Sequence, residues 1–147
     1  MISVDPEYNW NLLVAALMGA QCFYTSVRVN AARKNYNLEY PDMGSGRFSV
    51  KLSDKDWKDF NNIMRTHQNY VEQLPIAISA ALIGGLYYPK LSAILGGIYI
   101  LGRAFYSFGY KRFGPSGRMV GAITLDVGLL GMMGAGFVGI IKGLMST

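Results

Sequence analysis

Four apolar stretches, each long enough to cross a bilayer and separated by short polar connections, account for most of this 147-residue chain. A bilayer core requires about 20 mostly apolar residues per helix. Four such stretches leave no room for a separate soluble domain. The chain therefore reads as an all-α integral membrane protein, a four-transmembrane-helix bundle forming a single domain over residues 1–147. A hydrophobic fraction of 51%, with 18 Gly and 8 Met, points the same way.

The spans are expected at 10–32, 54–88, 91–110 and 119–145, with Tyr8 and Trp10 as interfacial anchors of the first and Arg33 and Lys34 as its stop. Asp5 and Glu7 precede the first span, whereas Arg28, Arg33 and Lys34 lie towards or beyond its end. Lys111, Arg112 and Arg118 follow the third. By the positive-inside tendency both termini face away from the cytosol and the two basic connections face it. Residues 35–56 contain Pro41, a Gly-Ser-Gly turn and mixed charges, and read as the longest exposed loop. Ser53, with Asp56 three positions on, is an N-cap signature that starts the second helix near Asp54. Pro75 is its expected kink. Gly114-Pro115 ends the third helix, and the glycines of span four, from Gly128 to Gly143, predict close helix packing or an oligomer contact.

The net charge of +5 does not indicate nucleic acid, because the basic residues are spread along the chain rather than clustered. The one cysteine, Cys22, falls in the middle of the first span and reads as a small packing residue. Without a basic region ahead of it, that span is expected to be retained rather than removed as a signal.

The chemistry lies in two polar stripes. Arg65, Asn69 and Glu72 are spaced i, i+4, i+7, so they fall within about 60° of arc on the second helix. Asn61, Asn62 and Gln68 widen that stripe. Tyr99, Arg103, Tyr106 and Tyr110 share one face of the third helix. Ionisable groups in a membrane cost roughly 2.5–3.5 kcal/mol each on insertion scales, and one structural ion pair does not account for so many. A network that only locks the bundle is the competing reading. A cationic, phenol-lined site with one carboxylate suits a small anionic ligand that also carries an ammonium: Arg65 for a carboxylate, Asn69 for amides, Glu72 for the amine. Glutathione has those groups. For a thiol ligand, a nearby arginine lowers the thiol pKa and holds the nucleophilic thiolate, and Arg118 is the candidate.

His67 lies about 200° from Arg65 on the helical wheel. It reads as a satisfied interface residue that reaches a site only across a subunit boundary. Asp126 is expected to be buried and paired with Thr124, a backbone group or an arginine such as Arg103. The sequence shows no His or Cys cluster for a metal, no phosphate-cradling Gly motif and no Ser-His-Asp set.

The four-span plan, with RTHQNYVEQLP on the second helix, RAFYSFGY on the third and ARK after the first, resembles the MAPEG family of membrane-associated proteins in eicosanoid and glutathione metabolism. The THQN and PSGR contexts are most similar to its type-3 microsomal glutathione transferases. The resemblance covers nearly the whole chain. It implies a homotrimer in the endoplasmic reticulum membrane, with glutathione as co-substrate bound between subunits towards the cytosol and no metal. It further implies glutathione binding by Arg65, Asn69, Glu72, Tyr106 and Tyr110, with Arg33 and His67 contributed by a neighbouring subunit, and thiol activation by Arg118. Lys34 stands where the family's leukotriene C synthases have an arginine at the lipid substrate, and Gln73 where some relatives carry a tyrosine. The implied activity is conjugation of glutathione to lipophilic electrophiles or reduction of lipid hydroperoxides, with leukotriene C synthesis as a related reaction. The alternative is a non-catalytic scaffold that presents lipid to a partner enzyme, as the family's lipoxygenase-activating member does.

Overall fold

The structure, a computed structural model, describes residues 6–146. Asp5, used above for orientation, lies outside the described residues. Four helices, α1 (Asn9–Asn35), α2 (Asp54–Tyr87), α3 (Pro89–Phe113) and α4 (Met119–Met145), form the bundle, with short 3-10 turns at Ser49–Lys51 and Gly114–Arg118.

Local chemistry sets the helix ends. Asn37 adopts a left-handed φ of 52° after α1. The Leu38 and Asn37 N–H groups then donate back to the Arg33 and Lys34 carbonyls at 3.0 and 3.4 Å, which satisfies carbonyls that the helix end would otherwise leave free. Ser53 caps α2 as expected, its Oγ accepting from the Asp56 N–H at 3.2 Å. Pro75 does not interrupt α2, which is helical from Asp54 to Tyr87. Pro89, which has no N–H to lose, opens α3. Pro89–Met145 is a 57-residue apolar helical stretch. Unbroken, it would run about 85 Å at 1.5 Å per residue, nearly three times a bilayer core of about 30 Å. Gly114, at φ 70°, turns the chain there and yields two spans instead of one.

α2 and α3 form the central pair. α1 packs on one side of it and α4 on the other, and the α3–α4 contact is the most extensive. Tyr8 donates its hydroxyl to the Leu82 carbonyl of α2 at 3.1 Å. Met18, Cys22, Tyr70, Ala77, Tyr99, Leu125 and Met132 meet in the main core. Cys22 is thus a packing residue. The opposite faces carry exposed Leu, Ile, Val and Phe side chains, as a lipid-facing surface requires. α3 and α4 touch backbone to backbone: a methyl group at Gly102 would collide with the Leu125 backbone, and one at Gly121 with the Tyr106 backbone. In span four, Gly128, Gly136 and Gly139 also face other helices of the same chain, whereas Gly134 and Gly143 face open space.

The 36–53 connection, expected to be an exposed loop, is organised around a buried carboxylate. Asp42 Oδ1 accepts from the Gly44 and Gly46 N–H groups at 2.8 and 2.9 Å, and Oδ2 from Phe48 and Ser49 at 2.8 and 2.7 Å. Asn61 of α2 donates to the Gly44 carbonyl at 3.0 Å, while Leu38 packs with Val29, Phe60 and Met64. Burial disfavours the Asp42 charge, but the four N–H donors together outweigh it and hold the carboxyl well below its ordinary value of 3.8.

Two outcomes follow for stability. Gly121→Leu should lower the free energy of unfolding by about 3 kcal/mol in detergent-based equilibrium unfolding, while Gly134→Leu should leave it within about 0.5 kcal/mol. Because Asp42 has a lower pKa folded than unfolded, its contribution is complete well above pH 3.8 and is lost as the pH falls towards the folded value. Asp42→Asn should therefore reduce the thermal midpoint at neutral pH, and its gap from the parent should narrow on acidification below about pH 4.

Candidate functional site

The two stripes meet through Arg103. This guanidinium is 1% exposed and has no carboxylate partner among the described residues. Its Nη1 donates to Asn69 Oδ1 at 2.8 Å, its Nη2 to Gln73 Oε1 at 2.6 Å and its Nε to the Tyr99 hydroxyl at 2.9 Å. The rings of Tyr70, Tyr99 and Tyr106 surround it, with centroids 4.4, 5.1 and 5.9 Å from Cζ. Tyr70 is itself tied to α1, its one hydroxyl proton shared between Gln21 Oε1 at 2.7 Å and the Met18 carbonyl at 3.1 Å.

From Arg103 the line continues towards the basic turn. The Tyr106 and Tyr110 rings lie 5.5 Å apart and are buried. Arg118, half-buried at the start of α4, faces both phenols, with its Cζ 5.8 Å from the Tyr110 ring centroid. Asn69, Arg103, Tyr106, Tyr110 and Arg118 thus form one continuous row across α2, α3 and the α4 entrance. The close approach of Gly121 to Tyr106 and of Gly109 to Gly117 makes this row possible by bringing the start of α4 against α3.

Arg65 and Glu72 flank the row on the outer face of α2. They pair with each other at 3.2 Å, their side chains 50% and 57% exposed. Such an exposed pair is worth about 0–1 kcal/mol, so both groups can exchange partners for a ligand at little loss. Asn69 is not a freely rotating amide, because Arg103 holds its oxygen.

Three other expected residues stand elsewhere in the chain. His67 lies on the α1-facing side of α2, its Nδ1 2.7 Å from Thr25 Oγ1. The Thr25 hydroxyl donates to the Cys22 carbonyl at 2.7 Å; this assigns the imidazole proton to Nδ1 and leaves Nε2 as an acceptor. Arg33 is buried under Tyr40, whose ring centroid is 4.2 Å from its Cζ, and its Nη2 meets Met43 Sδ at 3.3 Å. Among the described residues its Nε and Nη1 have no hydrogen-bond partner. Lys34 is exposed on the rim of a surface pocket shared with Asn30, Asn37 and Tyr40.

Asp126 departs from expectation. It is exposed on the outer side of α4, and Thr124 donates instead to the Val120 carbonyl at 2.8 Å. The physical reason is rotational: Gly121, Leu125, Gly128 and Met132 define the buried stripe of α4, and Asp126 is turned about 120° from its centre. Arg103 also spends its donors on Asn69, Gln73 and Tyr99. Arg103 was legible as part of the α3 stripe, but its contacts with Asn69 and Gln73, and Gln73 as a site residue, were not. The signal available was that Gln73 follows Asn69 by one helical turn, which matters only once α3 is known to lie alongside.

The profile of the MAPEG family matches residues 11–138. An uncharacterized protein of Synechocystis is 29% identical over 116 residues, covering 78% of this chain and 76% of its own. Human microsomal glutathione S-transferase 2 is 27% identical over 121 residues, covering 82% and 74% respectively.

The geometry separates a weak pair from a structural one. Arg65→Ala and Glu72→Ala should each change unfolding stability by less than about 1 kcal/mol. Tyr99→Phe, which removes the acceptor for a buried guanidinium, should lower it by about 1.5–3 kcal/mol. Unfolding titrations of the three variants in one detergent would check the order.

Proposed function

We propose that this chain, which belongs to the MAPEG family, is a membrane-bound glutathione transferase or glutathione-dependent lipid peroxidase. The observation that carries the reading is the continuous row from Asn69 through Arg103, Tyr106 and Tyr110 to Arg118, flanked on α2 by the exposed Arg65–Glu72 pair. The name of the human relative supports the same chemistry.

In this reading Glu72 takes the ammonium of glutathione and Arg65 a carboxylate, replacing their mutual pair with stronger contacts to the ligand. Arg118 stabilises the thiolate after the S–H proton leaves to solvent, lowering the thiol pKa. In conjugation the sulfur attacks an electrophilic carbon, a C–S bond forms, and the developing oxyanion or leaving group is protonated by water or a site tyrosine. In reduction the thiolate attacks the terminal oxygen of a hydroperoxide, the O–O bond breaks, and the alkoxide takes a proton to give the alcohol. A second glutathione then converts the glutathione sulfenic acid to the disulfide and water. Tyr106 and Tyr110, facing Arg118, are the nearest phenols for that protonation.

The lipophilic acceptor enters from the bilayer between subunits of a homotrimer, with Arg33 and His67 reaching the site of a neighbouring subunit and Lys34 at the lipid substrate. In this reading the site faces the cytosol at the endoplasmic reticulum membrane, an assignment that the microsomal relative's name supports.

The test is titration of the purified protein with glutathione while thiolate absorbance is followed. Saturable binding with a thiolate signal is expected, and Arg118→Ala should lose most of that signal while retaining binding. Absence of both binding and signal would refute the reading; binding without a thiolate would favour the lipid-presenting scaffold. An unchanged signal in Arg118→Ala would assign activation to another residue.

A further inference from the structure

We infer that Arg103 is a positioning residue that fixes Asn69 and Gln73 as two outward-facing amide donors, so that the part of the ligand lying over them is an acceptor-only group, a carboxylate or a peptide carbonyl. The inference rests on the glutathione reading of this site and adds Gln73 to the groups that meet the ligand.

A guanidinium has five N–H donors and no acceptor. Only the oxygens of Asn69 and Gln73 can therefore face Arg103, and they do, at 2.8 and 2.6 Å. This assigns both amides, because the flipped orientation would set N–H₂ groups against N–H donors. Each amide nitrogen must then point away from Arg103. Among the described residues neither finds a protein acceptor, and neither is among the buried, unpartnered polar atoms. Each nitrogen therefore keeps some accessible surface, and both residues are partly exposed.

Their placement on α2 gives the pair direction. Successive steps of four residues carry Arg65, Asn69 and Gln73 round the helix by about 40° each, while Glu72 lies about 20° to the other side of Arg65. Three donors therefore run up one edge of the face, with the one acceptor beside them. A ligand N–H over Asn69 or Gln73 would be unpaired, at a penalty comparable to that of an unsatisfied polar group. In glutathione, the carboxylates and the two peptide carbonyls qualify, and the ammonium is directed to Glu72. That no carboxylate pairs with Arg103 among the described residues is part of the device: a carboxylate would satisfy the cation equally well but would offer the ligand oxygen instead of N–H.

The decisive substitutions are Asn69→Asp and Gln73→Glu. Each preserves an oxygen for Arg103, so the bundle is retained, and each replaces an outward N–H₂ with oxygen. In calorimetric titration with glutathione, each should weaken binding by about 10- to 100-fold while the thermal midpoint is unchanged or raised. Arg103→Lys, which keeps the charge but cannot hold both oxygens in one fork, should raise KM for glutathione with kcat changed less than about twofold. Parent-like glutathione affinity in both acidic variants would overturn the inference.

A ligand-free measurement separates this failure from failure of the glutathione reading. The side-chain ¹⁵N–H₂ resonances of Asn69 and Gln73, assigned with the two variants, should broaden in the free protein on addition of a soluble gadolinium chelate. Resonances that stay sharp would overturn the inference whatever the ligand. Broadened resonances in a parent protein that does not bind glutathione would support the donor pair and refute glutathione as its ligand.

Discussion

Arg103 carries a full positive charge at the centre of a membrane bundle, and much of the site is arranged around making that tolerable. Taking a guanidinium out of water costs several kcal/mol unless its donors are met. Here Asn69, Gln73 and Tyr99 accept from it, and Tyr70, Tyr99 and Tyr106 present ring faces or edges around it. Hydrogen bonds to a charged group contribute roughly 1.5–3 kcal/mol each, and a desolvated cation over an aromatic face about 2 kcal/mol. The partners come from α2 and α3, so the same contacts that stabilise the charge lock the central helix pair. Tyr70 extends the lock to α1 through Met18 and Gln21.

The second dependence is on atoms that are absent. Gly102 and Gly121 allow α3 and α4 to approach until backbone meets backbone. In a bilayer, where lipid tails are as apolar as leucine, close packing of this kind replaces the hydrophobic drive that would hold helices together in water. It also has a consequence for chemistry. With α4 drawn against α3, the turn at Gly114–Arg118 closes over Tyr110, and the half-buried Arg118 comes to face the phenols.

The charged groups of α2 divide by exposure. Arg65 and Glu72 are about half exposed and bound weakly to each other, which leaves them able to change partners. His67, on the far side of the same helix, is held by Thr25 of α1. Below them Asp42 gathers four N–H groups and binds the 36–53 connection to the base of α2 through Asn61. A helix that must present an adaptable face to a ligand is thus fixed along its other faces.

Within each helix, the sequence by itself determined most of what the structure contains. Spans two and four start at the expected residues, Ser53 caps α2, Gly114 turns α3 into α4, and the Tyr99–Tyr110 stripe stays on one face. Periodicity and capping are local properties, so residues near one another in the chain suffice to specify them. Contacts between helices were decided only by the tertiary structure. A wheel gives the angle of Asp126 relative to Leu125 but not which angle meets α3, and Asp126 faces outward as a result. The loop reads as polar and irregular, and the convergence of four N–H groups on Asp42 depends on its folded path. Asn69 and Gln73 read as two polar residues a turn apart. Their common partner emerges only when glycine contacts set the register of α3 and α4 and the Arg103 fork lines up with α2. That register is a property of packing, and no single helix encodes it.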